Sequence, residues 1–418
     1  MKIMTSKLLP ATAGLMAVLA LPCGSAADVA SDRAAAILIF PHVVSVDVAR
    51  FTTGVASIGG KTDTVIQISN TSLETAILQC FYVNANGHCA FSGDVCYEDG
   101  GDFVGPCVRD GDFCLPGWTE TDFQVILTPR QPVAWLASRG LPNEGFAIDG
   151  IDFRGPNGES NAGSSVPPVV QERLDSSSIP SSPQIDGFVG ELKCIVVDAQ
   201  GRAIDRNVIK GEATVVTELQ LELADSDRFD RLPFVAKYSA IGIQAIGGDQ
   251  NGDDVLVLGG DAEEYNSCPN VLIVDHFFDG AFPAGPLRET QSEQSSLTLV
   301  PCSQDLRAQI PGSTTAQFLV FNEFEQRFST SRKVDCWFNR RLSRIDTSDP
   351  TRSIFSIGVS GTVAGQTRIR GVHGGLLGVL HEVIADENSL ARLLGSGNAF
   401  TNVHFQGERT EPDRIIKP

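Results

Sequence analysis

The chain has 418 residues, of which 42% are hydrophobic, and a formal net charge of −19. That apolar fraction supports a packed core and excludes a wholly disordered chain. The excess of 51 acidic over 32 basic residues gives a surface that repels nucleic acid and anionic lipid.

The N-terminal segment carries Lys2 and Lys7 as its only charges, then an apolar run from Leu8 to Leu21, then the small residues of Cys23-Gly-Ser-Ala-Ala27. The apolar run is shorter than the roughly 20 residues that span a bilayer. A basic start, a short apolar stretch and a small-residue cleavage zone predict a secretory signal peptide over 1–27, cut after Ala26 or Ala27. A lipoprotein signal acylated at Cys23 is the rival reading, and Pro22 disfavours it. Cleavage leaves 391 residues, enough for two domains, and a net charge of −21. No later segment is long and apolar enough for a transmembrane span, and Glu411–Pro418 shows neither a hydrophobic tail nor a sorting pattern.

Short apolar segments between turn residues then predict strands. They are Ile37–Val44, Thr64–Ser69, Ala76–Val83, Phe123–Leu127, Val133–Ala137, Phe188–Val197 and Ala213–Leu219. Ala76–Val83 is apolar on both faces, which suits a strand covered on both sides. A Gly/Asp-rich loop over 88–117 and a Gly/Ser/Pro-rich excursion over 155–186 interrupt the series. The first domain is placed at 28–224 and the second at 225–418, with the boundary near Ala224–Asp227. In the second half, Leu297–Val300, Gln317–Asn322 and Lys333–Phe338 repeat the pattern of Ile37–Phe40, Val65–Asn70 and Ile77–Tyr82. In both halves a predicted hairpin ends in a Cys followed by two aromatic residues. Helix is scarce, with one candidate at Asn388–Leu394. The expected fold is therefore all-β: two β-sandwich domains, an immunoglobulin-like form among the options, with a disulfide-bridged loop and little helix.

Nine cysteines remain after the leader, and in an exported chain they read as disulfides. Cys268–Cys302 is expected as one bridge, with two more among Cys89, Cys96, Cys107 and Cys114, where a Gly/Asp-rich loop has little core to hold it. Cys80 and Cys336 lie in apolar segments and read as buried free thiols. No Cys-x-x-Cys occurs, so zinc and haem motifs are absent.

Other chemistry is sparse. His381-Glu382 lacks the second His of a zinc protease motif, and Gly358-Val-Ser-Gly361 is not a nucleophile elbow. Asp249, Asn251, Asp253 and Asp254 place oxygens at near-alternate positions around Gly252, as a calcium loop does. Asp254 and Gly260 stand where an EF-hand needs Gly and Glu, so calcium is a weak candidate and an acidic turn the plainer one. Asp99, Asp102, Asp110 and Asp112 form a second, weaker set.

Ala35-Ala-Ile-Leu-Ile-Phe-Pro41, Asp63–Ser72, Cys80–Cys89 and Gln317–Ser331 resemble an uncharacterised group of secreted β-rich proteins from Gram-negative environmental bacteria. The resemblance covers most of the mature chain. It implies a bacterial exported protein and no particular activity.

The sequence thus points to a periplasmic, cell-surface or extracellular protein with a structural or binding role, an unknown surface ligand and no required cofactor. An extracellular glycan hydrolase with paired carboxylates and a calcium-dependent adhesion module are the alternatives.

Overall fold

The computed structural model describes residues 33–52, 56–85, 87–89, 95–97, 103–106, 113–116, 119–140, 179, 188–223, 229–249, 251–281, 291–386 and 397–418. In chain order the first half contributes β1 (Ile37–Thr52), β2 (Ala56–Asn70), β3 (Ala76–Asn84), β4 (Gly87–Cys89), β5 (Val95–Tyr97), β6 (Phe103–Pro106), β7 (Phe113–Pro116), β8 (Thr119–Leu127), β9 (Pro132–Leu136), β10 (Phe188–Val197), β11 (Ile209–Leu223), β12 (Phe229–Ser239) and β13 (Ile241–Ile243).

β1 serves two sheets. Up to Ser45 it pairs with β10 and β13, and from Val46 onward it pairs with β2. The register shifts between Phe40 and Val43, where Pro41 has no amide hydrogen to give a ladder. One sheet then runs β8-β3-β10-β1-β13, and the other runs β12-β11-β2 with β9 beside β2. Leu38, Phe40, Leu78 and Tyr82 of the first sheet meet Ile66, Ile68, Trp135 and Ala213 of the second in one core. Within it the fully buried Trp135 Nε1 donates to Tyr82 Oη at 2.6 Å. Trp135→Phe should cost about 2–4 kcal/mol, because it opens a void and removes Tyr82's donor; the urea midpoint reads it.

The second half contributes β14 (Val255–Leu258), β15 (Pro269–Phe277), β16 (Gln291–Pro301), β17 (Gln304–Asp305), β18 (Ser313–Asn322), β19 (Arg327–Asp335), β20 (Phe338–Arg341), β21 (Ala364–Gly371), β22 (Leu376–Asp386), β23 (Gly397–Asn402), β24 (His404–Glu408) and β25 (Asp413–Ile416). The sheet β19-β18-β21-β15-β24 faces the sheet β20-β16-β22-β23 across a core that includes Phe318, Ile369, Leu297, Leu299 and Leu380. A small sheet, β14-β25-β17, supplies Leu256, Leu258 and Ile415 to a middle core. That core also takes Ile37, Ile39, Phe81 and Ile195 from the outer face of the β10 sheet. The β10 sheet is therefore covered on both faces, which explains why β3 and β10 are apolar on both sides.

Among the described residues strand predominates and helix is slight, so the all-β expectation holds. The expected boundary at 224–227 falls between β11 and β12, which pair from Glu212↔Ser239 to Glu222↔Phe229, and β13 pairs with β1. The first sandwich therefore runs on to Ile243. The repeat survives only at its turns. β18 and β19 form a hairpin, whereas β2 and β3 lie in opposite sheets. Both turns are held by an Asn: Asn70 Oδ1 accepts from Ser72 N at 2.9 Å, and Asn322 Oδ1 accepts from Phe324 N at 3.0 Å.

Cys268 and Cys302 are bridged as expected. Cys80 is not the free thiol that its apolar strand suggested. It stands directly opposite Cys194 on the neighbouring strand, and the two form a disulfide. Cys336 is free and buried. The side chains of Cys89, Cys96, Cys107 and Cys114 lie outside the described residues, as do the expected signal peptide over 1–27, the excursion 155–186 apart from residue 179, and the helix candidate at 388–394.

Candidate functional site

The sheet β19-β18-β21-β15-β24 gives one face to the core, and its other face carries a groove. Alternation along the strands sorts the side chains. Phe318, Val320, Thr367 and Ile369 are buried, while Gln317, Leu319, Arg368 and Arg370 point the other way. Cross-strand register sets Leu319 between Ser329 and Arg368, and Gln317 between Ser331 and Arg370. These six side chains line a groove of about 670 Å³. Arg368 Nη2 donates to Gln406 Oε1 across the sheet, which holds the guanidinium in place. At one end Arg327 lies over the Phe321 ring at 5.9 Å, and at the other Lys333 pairs with Asp335 at 2.8 Å. The face thus presents cations, hydroxyls and an amide in rows two residues apart. The groove lining itself carries Arg368 and Arg370 and no acid, a local reversal of sign on a chain of net charge −19. None of these residues stands out in the sequence, where they read as the solvated half of ordinary strands. The available signal was the run Gln366-Thr-Arg-Ile-Arg370, in which the outward positions are Gln and Arg.

The acidic turn at Asp249 is self-satisfied. Asp249 Oδ1 accepts from Gly252 N at 2.8 Å and its Oδ2 from Asp254 N at 3.1 Å. Asn251 Oδ1 accepts from Asp253 N at 2.9 Å, and Asp253 Oδ1 accepts from Val255 N at 2.8 Å. Asp254 faces Lys417 at 3.2 Å. These oxygens are turned onto the turn's own amides and a neighbouring cation, so a calcium ion would have to compete with them. Asp99, Asp102, Asp110 and Asp112 lie outside the described residues. Among the described residues the ligand-type side chains that crowd together are Cys268, Cys302 and Asp413. Both sulfurs there belong to the disulfide, and Asp413 accepts from Ser303 Oγ at 2.7 Å and Gly375 N at 2.9 Å, so the group is a structural knot.

Glu120 and Asp122 are neighbours on one face of the edge strand β8, where burial and the Asp122 charge push the Glu120 carboxyl up to about 7. Their side chains point the same way, whereas glycoside hydrolysis places two acids on either side of the scissile bond. Two His–Thr pairs exist: His42 Nδ1 with Thr298 Oγ1 at 2.9 Å, and His276 Nε2 with Thr367 Oγ1 at 2.8 Å. All four residues are buried, so neither hydroxyl can meet a substrate. His42 instead ties the halves together. Its carbonyl accepts from Tyr238 Oη at 2.6 Å, and its ring lies against Phe400, Trp337 and His381. Among the described residues no helix is long and apolar enough to cross a membrane. Compared with known proteins, the chain matches no family model, no curated protein and no solved structure.

Proposed function

We propose that the chain is an exported binding protein whose open sheet face takes an extended anionic ligand. The observation that carries this reading is the pair Arg368 and Arg370, set with Ser329, Ser331 and Gln317 in one groove of an otherwise acidic molecule. Guanidinium groups bind carboxylates and sulfates through charge-assisted hydrogen bonds, and rows two residues apart suit a ligand with a repeat along its length. The leader-like start, the disulfides Cys80–Cys194 and Cys268–Cys302, and the resemblance to secreted bacterial proteins support a location beyond the cytoplasm. The long excursion and the Cys-rich loop of the first half would be its variable surface features.

The test is affinity electrophoresis and calorimetry with polygalacturonate and with a sulfated glycan as probes. The wild type should bind one of them in a salt-sensitive manner. Arg368→Glu with Arg370→Glu should weaken binding by at least about tenfold while leaving the unfolding midpoint within about 1 kcal/mol. Equal binding by both proteins, or binding by neither, would remove the groove from the account.

A further inference from the structure

Lys193 lies on β10, inside the sheet that is covered on both faces, and its side chain is 0% exposed. The sequence read there, Gly190-Glu-Leu-Lys-Cys194, looks like an alternating strand with a wet side, yet that side is sealed by the second half. Lys193 Nζ donates to Glu191 Oε1 at 2.5 Å and to Gln304 Oε1 on β17. Glu191 is equally buried, and its Oε2 has no hydrogen-bond partner. Gln304 is 5% exposed and stands close enough to act on the Glu191 carboxylate as well. A lysine, a carboxyl and a primary carboxamide therefore meet in a dry core between residues that belong to different halves.

A charged pair in such a place costs several kcal/mol of desolvation per ion. Moving one proton from the ammonium to the carboxylate removes both charges. Burial already pushes the Glu191 carboxyl towards its protonated form. In that form an uncharged amine would stand against an amide carbonyl, beside a carboxylic acid. Reactants held together in this way gain from proximity.

We propose that Lys193 and Gln304 become joined by an isopeptide bond, with Glu191 as the proton carrier. Lys193 Nζ adds to Gln304 Cδ while the Glu191 carboxylic acid protonates the carbonyl oxygen. Glu191 then takes a proton from Nζ and returns one to Nε2. The Cδ–Nε2 bond breaks, ammonia leaves, and the proton on the oxygen returns to the Glu191 carboxylate as the carbonyl re-forms. One C–N bond is made and one is broken, no oxidant or metal takes part, and Glu191 ends as it began. The link closes a loop between positions 111 residues apart and pins β17 to β10. It is independent of the groove and of any ligand.

The test is peptide mapping of the full-length wild type after reduction, alkylation and trypsin. A linked Lys193 resists cleavage, so residues 174–202 should appear as one branch joined to residues 289–307, lighter than the sum of the two by one ammonia. Reduced protein should also run ahead of its Lys193→Met variant on a denaturing gel. Glu191→Gln should keep both peptides linear and retain the ammonia, with the Cys268–Cys302 bridge still present as evidence of folding. Recovery of wild-type residues 174–193 as a free peptide, with Gln304 intact in 289–307, would overturn the link. A branched peptide in Glu191→Gln would overturn the role of Glu191.

Discussion

Replacing Cys80 and Cys194 together by alanine is expected to lower the free energy of unfolding by about 5 kcal/mol, and replacing Cys268 and Cys302 by about 4 kcal/mol. The first bridge joins positions 114 residues apart and the second positions 34 apart, and the entropy that a cross-link removes from the unfolded chain grows with the logarithm of that span. Cys80 and Cys194 face the core between the two sheets of the first sandwich, so alanine there leaves apolar neighbours and no stranded polar group. The Cα atoms are 4.0 Å apart on directly opposed positions of β3 and β10, so the ladder itself holds the pair in place. The native strands should persist in the variant, with the loss showing as a lower urea midpoint and a somewhat steeper slope, since the unlinked unfolded chain is more expanded. A double variant that unfolds within about 1 kcal/mol of the wild type would show that the first bridge restrains nothing.

How much of this was legible from the residues depends on range. The strand Ala76–Val83 could be read because its apolar pattern is local, and Cys268–Cys302 because two cysteines bracket one β-rich segment. The partner of Cys80 could not be read, because opposing it to Cys194 requires knowing that β3 and β10 are neighbours across 114 residues. The same gap hid the pairing of β11 with β12, which follow one another on either side of the linker-like composition of Ala224–Asp227. Glu191 and Lys193 could not be placed for a related reason. Alternation assigns a face to them but does not say what covers that face, and here it is the middle core. The groove was hidden in the opposite way. Arg368 and Arg370 look like any solvated positions until register sets them in line with Leu319 and Ser329 and with Gln317 and Ser331. Local pattern thus gave elements and orientation, while every site in the molecule depends on which strands meet.

Acid should loosen the junction between the halves, and His42 should carry a measurable share of that effect. Its ring is buried between β1, β16 and β23, bonded to Thr298 and packed on Phe400 and Trp337. Burial, reinforced by the neighbouring His381, lowers its pKa from 6.5 to about 3. The folded state therefore keeps His42 neutral at pH values where the unfolded chain has already taken up a proton. Below about pH 6.5 the unfolded state binds more protons, so stability falls as pH falls and levels off only near pH 3. Between pH 8 and pH 4 the loss from this one residue should be about 3 kcal/mol. His381 and His276, also lowered by burial, act in the same direction. Asp63, Glu120, Glu191 and Glu382 act in the opposite direction, since burial raises each of them and favours their protonated forms in the fold. The wild-type curve sums these terms, so the informative quantity is the difference from His42→Asn, whose amide nitrogen or oxygen can still meet Thr298 Oγ1. At pH 8 that variant should be the less stable protein, because it loses the ring contacts. As the pH falls to 4 the gap should close by about 3 kcal/mol and can reverse. Urea melts at several pH values would read it, and a gap that stays constant would mean that the ring is protonated in the fold and that the junction is not a dry one.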